Sequence, residues 1–406
     1  MFAVDALRRV RMRRRTGKGM TQQSSARRVV MVSNVSNFGG GGVVGFREML
    51  MAVRRLRPEL DVVAIYPQRG DLAAENARNG VTTMVAWTPW WAFGKWSRSR
   101  HFDAHALIGA IPYALFLIPG IVQALLLLSR LRPEVVVSNT ITIPSHAVAA
   151  KLLGIPHYWM VREFGREDHR LWFLFGHRAT VRLVGRLSDA VLCNSRAVER
   201  ALLAQDHTLT THVLYPAVDT PVGTPSGRES GQRMRAILVG YFSPSKGQAL
   251  AIEAISVARR AGVDIELTLI GSGNRKALSN LARDLKVADL VTIHEPTRDL
   301  GPHWAAAHVG LMCSECEAFG RVTVEAMRAG LPVCGTDSGG TPEIIEPGAA
   351  GLLSPAGDAH ALAVNLMALE ADEELRRRLG SCAVEKSQRF GRDRHDQQLV
   401  AILGLR

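Results

Sequence analysis

The chain has 406 residues, which is too long for one ordinary hydrophobic core and indicates two domains of roughly 180 residues each. Apolar residues make up 47% and charged residues 21%, a composition that excludes an intrinsically disordered protein. The five cysteines are odd in number and dispersed, so they predict no disulfide framework and favour a reducing, cytoplasmic setting.

The formal net charge of +13 is concentrated at the start of the chain. Residues 1–28 hold nine Lys or Arg and one Asp, without the apolar stretch that a signal peptide requires. We interpret this segment as a basic, disordered leader; the alternative is an anchor to anionic lipid, worth roughly 1 kcal/mol per basic residue. Because the rest of the chain is only modestly basic and carries no recognition motif, a nucleic-acid-binding protein is kept only as an alternative.

Short apolar runs alternate with helix-length stretches between residues 29 and 219. The predicted strands are 29–32, 61–66, 81–87, 134–138, 157–161, 190–193 and 212–214. The first is followed by a glycine-rich loop, Asn37 to Gly42, and a helical pattern over 43–56. This alternation is typical of parallel strands joined by crossover helices and predicts a doubly wound, Rossmann-like domain.

One part of this half has the composition of a membrane-surface segment. Four of the seven Trp lie close together among basic residues: Trp87, Trp90, Trp91, Lys95, Trp96, Arg98 and Arg100. Residues 106–128 carry no formal charge and are long enough to span a bilayer, although Pro112 and Pro119 interrupt them. We expect a membrane-surface segment around 87–128, with a buried core helix and a true span as the alternatives.

Residues 220–233 are rich in Pro, Gly and Ser and predict a linker. The alternation then restarts, with strands predicted at 236–239, 266–270, 291–294, 309–313, 332–336 and 351–353. Helices are expected at about 247–262, 274–286, 320–329 and 358–369. The sequence therefore predicts an α/β protein with two Rossmann-like domains, 29–219 and 234–382, that face a central cleft, where the carboxyl ends of parallel strands bind ligands.

The segment from Glu315 to Met327 is the most informative part of the second half. Gly320 is expected to start a helix, whose unpaired N–H groups suit a diphosphate. Glu317 lies just before that helix and could accept bonds from sugar hydroxyls, whereas Glu325, eight residues on, could accept two ribose hydroxyls. The alternative is that Glu317 caps the helix and Glu325 is an ordinary surface residue.

Two further loops follow predicted strands at the same end of this sheet. Lys246, at a junction of loop and helix, could neutralise a departing diphosphate. The pair Gly339-Gly340 would let the backbone approach a ligand closely. Three such loops in order point to one binding site.

Residues 234–370 resemble the C-terminal domain of glycosyltransferase family four, which has the GT-B architecture. The matching residues are Gly240, Lys246-Gly247, 269–273, Glu317-x7-Glu325 with Phe319-Gly320 inside it, and Gly339-Gly340-x-x-Glu343. The resemblance implies a retaining, metal-independent enzyme without a cofactor, in which a nucleotide sugar (UDP-, GDP- or dTDP-linked) is the donor. By the same resemblance Lys246 would bind the diphosphate, Glu317 the hexose as the catalytic residue, and Glu325 the ribose. The backbone of Phe319, Gly320, Arg321 and Val322 would hold sugar and phosphate.

The first half resembles the family more weakly. Gly40 and Gly41 correspond to the family's glycine loop near the donor, and Asn194 to an acceptor-side motif. The resemblance also implies that residues 383–406 form a helical segment that returns to the first domain.

The chain departs from the family's pattern at two places in its cleft. Tyr241 stands where the family usually has Arg, so half of the cationic clamp is missing or comes from another residue such as Arg321. Arg162-Glu163, expected like Asn194 on the acceptor side, stands where many members have His-Asp. Glu163 is the candidate if a protein base is used, and an Arg162–Glu163 pair at the domain interface is the alternative.

Metal binding is not predicted. Cys313-x-x-Cys316 has no second cysteine pair at a useful spacing, so a packed pair at the end of a strand is favoured over half a metal site. No Asp-x-Asp motif lies in a suitable loop.

The expected function is transfer of a hexose-type sugar to a lipid-linked or glycan acceptor at the inner leaflet, in polysaccharide or glycoconjugate biosynthesis. The enzyme would be cytoplasmic and peripherally associated with the membrane. The alternatives are a non-catalytic GT-B scaffold and the nucleic-acid-binding protein; a nicotinamide-linked oxidoreductase is disfavoured because neither half has a clear G-x-G-x-x-G after its first strand.

Overall fold

The computed structural model describes residues 27–93, 104–165, 168, 171–223 and 231–405, without the side chains of residues 93 and 104–114. The predicted leader lies almost wholly outside these ranges, as do Trp96 and the middle of the predicted linker.

The first domain is built on a parallel sheet of seven strands in the order β3-β2-β1-β5-β6-β8-β9. Its strands are β1 (Arg28–Val32), β2 (Asp61–Tyr66), β3 (Thr82–Val85), β5 (Val135–Asn139), β6 (His157–Val161), β8 (Ala190–Cys193) and β9 (Thr211–Val213). A separate antiparallel pair consists of β4 (Ala92–Phe93) and β7 (Trp172–Phe173). The helices are α1 (Gly40–Leu56), α2 (Asp71–Arg78), α3 (Ala104–Leu131), α4 (Ser145–Leu153), α5 (His177–Leu187) and α6 (Arg196–Gln205).

The second domain has a parallel sheet of six strands in the order β12-β11-β10-β13-β14-β15. Its strands are β10 (Met234–Val239), β11 (Ile265–Ile270), β12 (Val291–His294), β13 (Val309–Met312), β14 (Val333–Thr336) and β15 (Gly351–Ser354). The helices are α7 (Gln248–Arg260), α8 (Arg275–Asp284), α9 (Gly301–Ala306), α10 (Arg321–Arg328), α11 (Thr341–Ile345), α12 (Ala359–Ala371), α13 (Glu373–Ser387) and α14 (Arg392–Ile402).

Both sheets confirm the predicted α/β class with two Rossmann-like domains. In each sheet the strand order reverses direction beside the first strand, between β1 and β5 and between β10 and β13. Ligands bind in the crevice at such a switch point, outside the carboxyl ends of the strands. These strands could be predicted from the sequence because a strand buried on both faces has a nearly continuous apolar sequence, as in β1 and β2.

Side chains at the helix starts fix several of the boundaries. Ser195 accepts a hydrogen bond from Val198 N at the start of α6, and Asn274 does the same for Ala277 N at the start of α8. Such caps satisfy N–H groups that have no partner inside the helix.

The chain returns to the first domain through α14. Leu399 and Leu403 join the hydrophobic core formed by β1, α1 and β2, whereas Leu379 of α13 belongs to a core of the second domain. The buried carboxylate of Asp396 pairs with Arg55 of α1 and lies 2.9 Å from His395 Nδ1. The second crossing between the domains therefore lies between α13 and α14.

The tryptophan-rich region is only partly a surface feature. Trp91 is 3% exposed, stacks on Trp159 with ring centroids 5.6 Å apart, and donates a hydrogen bond to the carbonyl of Ile141. The prediction that places Trp91 at a membrane surface is therefore wrong, because this ring fills the core above β5 and β6. The uncharged stretch forms α3, which packs against α4. Among the helices within the described ranges, none is long and apolar enough to cross a membrane.

Phe390 provides a test of how the second crossing is held. Its ring is 1% exposed and lies between Tyr215 and Phe319, at centroid distances of 5.2 and 5.3 Å. Phe390→Ala should lower the free energy of unfolding by about 3–5 kcal/mol, as for other buried phenylalanines, when measured by urea denaturation. The exposed aromatic Tyr241 supplies the control. Tyr241→Ala should change the free energy of unfolding by less than about 0.5 kcal/mol. A loss at Phe390 as small as the control's would contradict this packing.

Candidate active site

Three loops at the carboxyl ends of β10, β13 and β14 meet at one place in the cleft. Gly247, after β10, has φ +72°, and a Cβ there would lie 2.0 Å from the carbonyl oxygen of Cys313, after β13. Glycine is therefore required for the first loop to approach the second so closely. The predicted convergence of these loops is what the structure shows.

Lys246 and Glu317 form an ion pair in which Lys246 Nζ donates to Glu317 Oε2 at 2.6 Å. Ser314 Oγ donates to the same oxygen at 3.1 Å. The lysine side chain is 39% exposed and the glutamate 16% exposed, so the pair lies at the wall of the cleft with one face open. A cation and a carboxylate thus stand side by side directly before α10.

The start of α10 lies beside this pair. Gly320 adopts φ +86° as the residue before the helix, and Phe319 is buried at 2% exposed. The N–H groups of Arg321 and Val322, in the first turn, have no partner inside the helix and carry partial positive charge. This arrangement is suited to an anion.

Glu325 lies one turn into α10, near the guanidinium of Arg321. Burial raises the pKa of Glu325 above its ordinary value, and the positive charge of Arg321 partly offsets that rise. A carboxylate with so few solvent contacts is suited to accept hydrogen bonds from a ligand's hydroxyl groups.

Arg321 is directed at the first domain. Its Nη1 donates to Glu48 Oε2 of α1 at 2.9 Å and to the carbonyl of Ala217 at 2.7 Å. The sequence offered Arg321 as a substitute for the arginine that Tyr241 replaces, which would form a cationic clamp together with Lys246. The observed contacts of Arg321 do not form that clamp. Tyr241 itself is 63% exposed.

Gly339 and Gly340 support the loop that carries Glu317. Gly340 N donates to the carbonyl of Glu317 at 2.7 Å, and a Cβ at Gly339, which has φ +59°, would lie 2.2 Å from the same oxygen. The glycine pair was predicted to let the backbone approach a ligand closely. The close approach that is observed is to the backbone of the loop that carries Glu317.

The glycine loop of the first domain faces this region across the cleft. Gly40 begins α1 with φ +71°, and a Cβ at Gly41 would lie 3.3 Å from Arg321 Cδ. The loop thus packs on the side chain of Arg321 and lies close to the start of α10.

Arg162 and Glu163 have their side-chain contacts within the first domain. Glu163 accepts hydrogen bonds from Ile141 N at 2.8 Å and from Arg162 N at 3.0 Å, and its side chain is 6% exposed. Arg162 Nε donates to Asn139 Oδ1 at 2.9 Å. The alternative interpretation, a side-chain pair between Arg162 and Glu163, is therefore not what is observed. The Glu163 carboxylate instead joins the backbone at Ile141 to the backbone at Arg162.

Asn194 lies at the carboxyl end of β8, where its Nδ2 donates to the carbonyl of Arg162 at 3.1 Å. It is 5% exposed. The three residues expected on the acceptor side thus belong to one buried network at the carboxyl edge of the first sheet.

No group of three or more metal-ligating side chains occurs within the ranges that the structure describes. All five cysteines lie within the described ranges and none of them forms a disulfide. Cys313 is buried, and burial raises the pKa of its thiol to about 12. A neutral thiol of this kind is a poor metal ligand.

Residues 225–386 match the family model described as glycosyl transferases group 1. This segment, which holds the second domain, is similar to that family. The resemblance seen in the Glu317-x7-Glu325 motif is thereby confirmed.

Curated proteins similar to the chain include a glycosyltransferase and a synthase. It is 30% identical over 194 residues to the D-inositol 3-phosphate glycosyltransferase of Paenarthrobacter aurescens, a match that covers 44% of this chain and 48% of that protein. It is 36% identical over 124 residues to the N-acetyl-alpha-D-glucosaminyl L-malate synthase of Bacillus anthracis, covering 30% of this chain and 32% of the relative. The chain thus spans less than half the length of these relatives.

Solved structures resemble the chain over nearly its whole length. HepE from Anabaena, in complex with UDP and glucose, superimposes with a TM-score of 0.70 at 19% identity, covering 93% of this chain and 99% of that one. WaaG, a glycosyltransferase involved in lipopolysaccharide biosynthesis, gives a TM-score of 0.61 at 16% identity, covering 93% and 100%. The fold is GT-B, as predicted.

Two residues of the cleft were not singled out from the sequence. Glu48 was missed, although it is a carboxylate among the buried apolar residues Phe46, Met49 and Leu50 of α1. Glu343 was placed only in the family motif; its carboxylate accepts a hydrogen bond from Arg196 N, at the start of α6, at 3.0 Å. A carboxylate at a helix N-terminus is favourable, and this one joins the two domains.

The carboxylate of Glu325, which is only partly exposed, leads to a prediction on stability. Its pKa is raised on folding, so the folded state binds the proton more tightly than the unfolded state, and the ionised form destabilises the fold at neutral pH. Glu325→Gln should therefore raise the free energy of unfolding at pH 7. The gain should shrink as the pH falls through the raised pKa towards the ordinary value of 4.5.

Urea denaturation of both proteins across this pH range measures the effect. The exposed α7 residue Glu253 supplies the control, since Glu253→Gln should show no such pH-dependent gain. A Glu325→Gln protein that is less stable at pH 7, or equally stabilised at every pH, would show that burial of this carboxylate is not the cause.

Proposed function

We propose that this chain transfers a hexose-type sugar from a nucleoside-diphosphate donor to a lipid-linked or glycan acceptor, with retention of the anomeric configuration. The observation that carries the proposal is the contact between Lys246 and Glu317 at the start of α10. In a nucleotide sugar the diphosphate and the hexose are adjacent. A site that binds both should therefore place a cation next to a hydroxyl-binding carboxylate, as these residues are placed.

Glu317, the start of α10 and Glu325 follow one another along the chain in the same order as the hexose, the diphosphate and the ribose of such a donor. Glu317 precedes α10 and would meet the hexose, the first-turn N–H groups and Lys246 would meet the diphosphate, and Glu325 would meet the ribose. Glu325 is the fifth residue of α10, about 6 Å along the helix axis from its start. HepE, a structural neighbour, was solved with UDP and glucose, which supports a donor of this class.

The transfer step is assigned to the donor face. The acceptor hydroxyl oxygen forms the new bond to the anomeric carbon, on the side from which the bond to the phosphate oxygen breaks. The acceptor's proton passes to that leaving phosphate oxygen, so no side chain need carry it. Glu163 is not used as a base, because its oxygens hold the N–H groups of Ile141 and Arg162. Lys246 and the start of α10 would stabilise the charge on the departing diphosphate.

A thermal-shift panel of UDP-, GDP-, dTDP- and ADP-sugars tests donor binding. The right donor should raise the melting temperature by mass action, equivalent to about 2.7 kcal/mol at a concentration of 100 Kd. Glu325→Ala should erase the shift, and Glu253→Ala, on the outer face of α7, should retain it. No shift with any donor for the unaltered protein would sink the proposal.

We further propose that the enzyme works at an anionic membrane surface through one face of α3. Four apolar side chains there are 47–59% exposed; they are Leu115, Ile118, Val122 and Leu126. Residues spaced by three and four share one face of a helix. In the sequence, Lys95, Arg98 and Arg100 precede α3, and an apolar helix face combined with basic residues is typical of binding to anionic lipid.

Pelleting with anionic liposomes tests this surface. The triple change Leu115→Ser, Ile118→Ser and Val122→Ser should lower the bound fraction on the order of tenfold, since each removes an exposed apolar side chain from the contact. Val364→Ser changes an exposed valine of α12, in the second domain, and should pellet as the parent does. Equal pelleting of the triple variant and this control would contradict the proposal.

A further inference from the structure

Three charged side chains of alternating sign cross the cleft between the domains. Arg162, after β6, and Glu48, on α1, belong to the first domain and are 8% and 9% exposed; Arg321, on α10, belongs to the second. The Nη1 atom of Arg321 lies 2.9 Å from Glu48 Oε2. Burial raises the pKa of Glu48, and the charges of Arg321 and Arg162 partly offset that rise.

Arg162 is anchored by its own domain. Its Nε donates to Asn139 Oδ1 at 2.9 Å, and its guanidinium lies so close to Gly45 that a Cβ there would be 2.4 Å from Nη1. Burial lowers the pKa of Arg162 to about 10, and Glu48 opposes that lowering. Among the charges near Arg162, that of Glu48 does most to oppose the cost of burying the guanidinium.

Arg321 reaches the same carboxylate from the other side of the cleft. Its Nη1 also donates to the carbonyl of Ala217, in the segment that leaves the first domain, at 2.7 Å. Its aliphatic part packs on Gly41. One side chain thus ties the start of α10 to α1, to the glycine loop and to the crossover segment.

We propose that Glu48 and Arg321 are positioning residues that hold the start of α10 against the first domain in the geometry required for sugar transfer. This inference rests on the proposed function for its catalytic consequence. It assigns the guanidinium of Arg321 to the contact between the domains, while Lys246 is left to the diphosphate. The same guanidinium also favours the ionised form of Glu325, four residues further along α10.

Five variants, including the conservative change Arg321→Lys, test the inference, with UDP and UDP-glucose as the probes. Glu48→Gln removes the charge that Arg321 contacts, Arg321→Met removes the guanidinium, and the third variant combines both changes. The control, Asp289→Asn, removes a carboxylate from the Arg259–Asp289 pair on the outside of the second domain. Should Glu48→Gln fail to fold because Arg162 loses a nearby negative charge, Arg321→Met keeps Glu48 and carries the test alone.

The first readout is amide hydrogen exchange of the free protein. Exchange in residues 214–219 and 321–323 should become faster in each single variant and stay unchanged in the control. The second is kinetic: kcat for hydrolysis of UDP-glucose should fall roughly tenfold to a hundredfold, with the Kd for UDP changed by less than about threefold. The double variant should be no slower than the slower single variant, because both changes remove one interaction. Arg321→Lys should recover part of the loss.

Two results would overturn the inference. One is unchanged exchange in both single variants; the other is a large rise in the Kd for UDP with kcat preserved in Arg321→Met, which would mean that Arg321 binds the donor directly. Failure of the unaltered protein to bind UDP or to hydrolyse UDP-glucose would count against a UDP donor instead, while the exchange measurement would still decide on the contact between Glu48 and Arg321.

Discussion

Three aromatic rings join the two passages of the chain between the domains to the loop proposed to bind the donor. Tyr215 lies in the first passage, Phe390 in the second, and Phe319 in that loop, with centroid distances of 5.2 to 5.9 Å among them. A hydrogen bond of 2.9 Å from Val218 N to the carbonyl of Phe390 links the passages directly. Because the loop is packed on the connection itself, the position of Glu317 is fixed relative to the point where the domains join.

This packing makes the charges of the cleft depend on how the domains meet. Glu48, Glu325 and Glu343 each have a pKa that burial raises, and nearby arginines lower each of them again. Carboxylates held in this way are costly for stability, and proteins retain them where ligand binding or positioning requires them. In this cleft they line the start of α10 and the start of α6.

The sequence was sufficient to predict the fold and the loops that follow the strands of the second sheet. Parallel strands buried on both faces have apolar sequences, and glycines mark the loops after them, so both sheets and the loops at Lys246, Glu317 and Gly339 could be predicted. These features are local. The spacing between Glu317 and Glu325 is a property of one loop and one helix, and the structure keeps it.

The destinations of long side chains could not be predicted in the same way. Arg321 contacts Glu48, 273 residues earlier in the chain, and Trp91 contacts Trp159 in the core. Which partner a guanidinium or an indole finds is decided by how distant elements pack, and no local pattern contains that information. The same reason explains why Arg162 and Glu163, adjacent in sequence, have separate side-chain partners.

A crystal structure of the protein with a bound nucleoside diphosphate is the most direct test of the proposal that Lys246, the start of α10 and Glu325 bind the donor. We expect a phosphate oxygen within hydrogen-bond distance of Lys246 Nζ and of the N–H groups at the start of α10, with the ribose hydroxyls on Glu325. We also expect that the cleft contact between Arg321 and Glu48 is kept. A nucleotide bound elsewhere, with Lys246 still paired to Glu317 and Glu325 without a ligand contact, would contradict it.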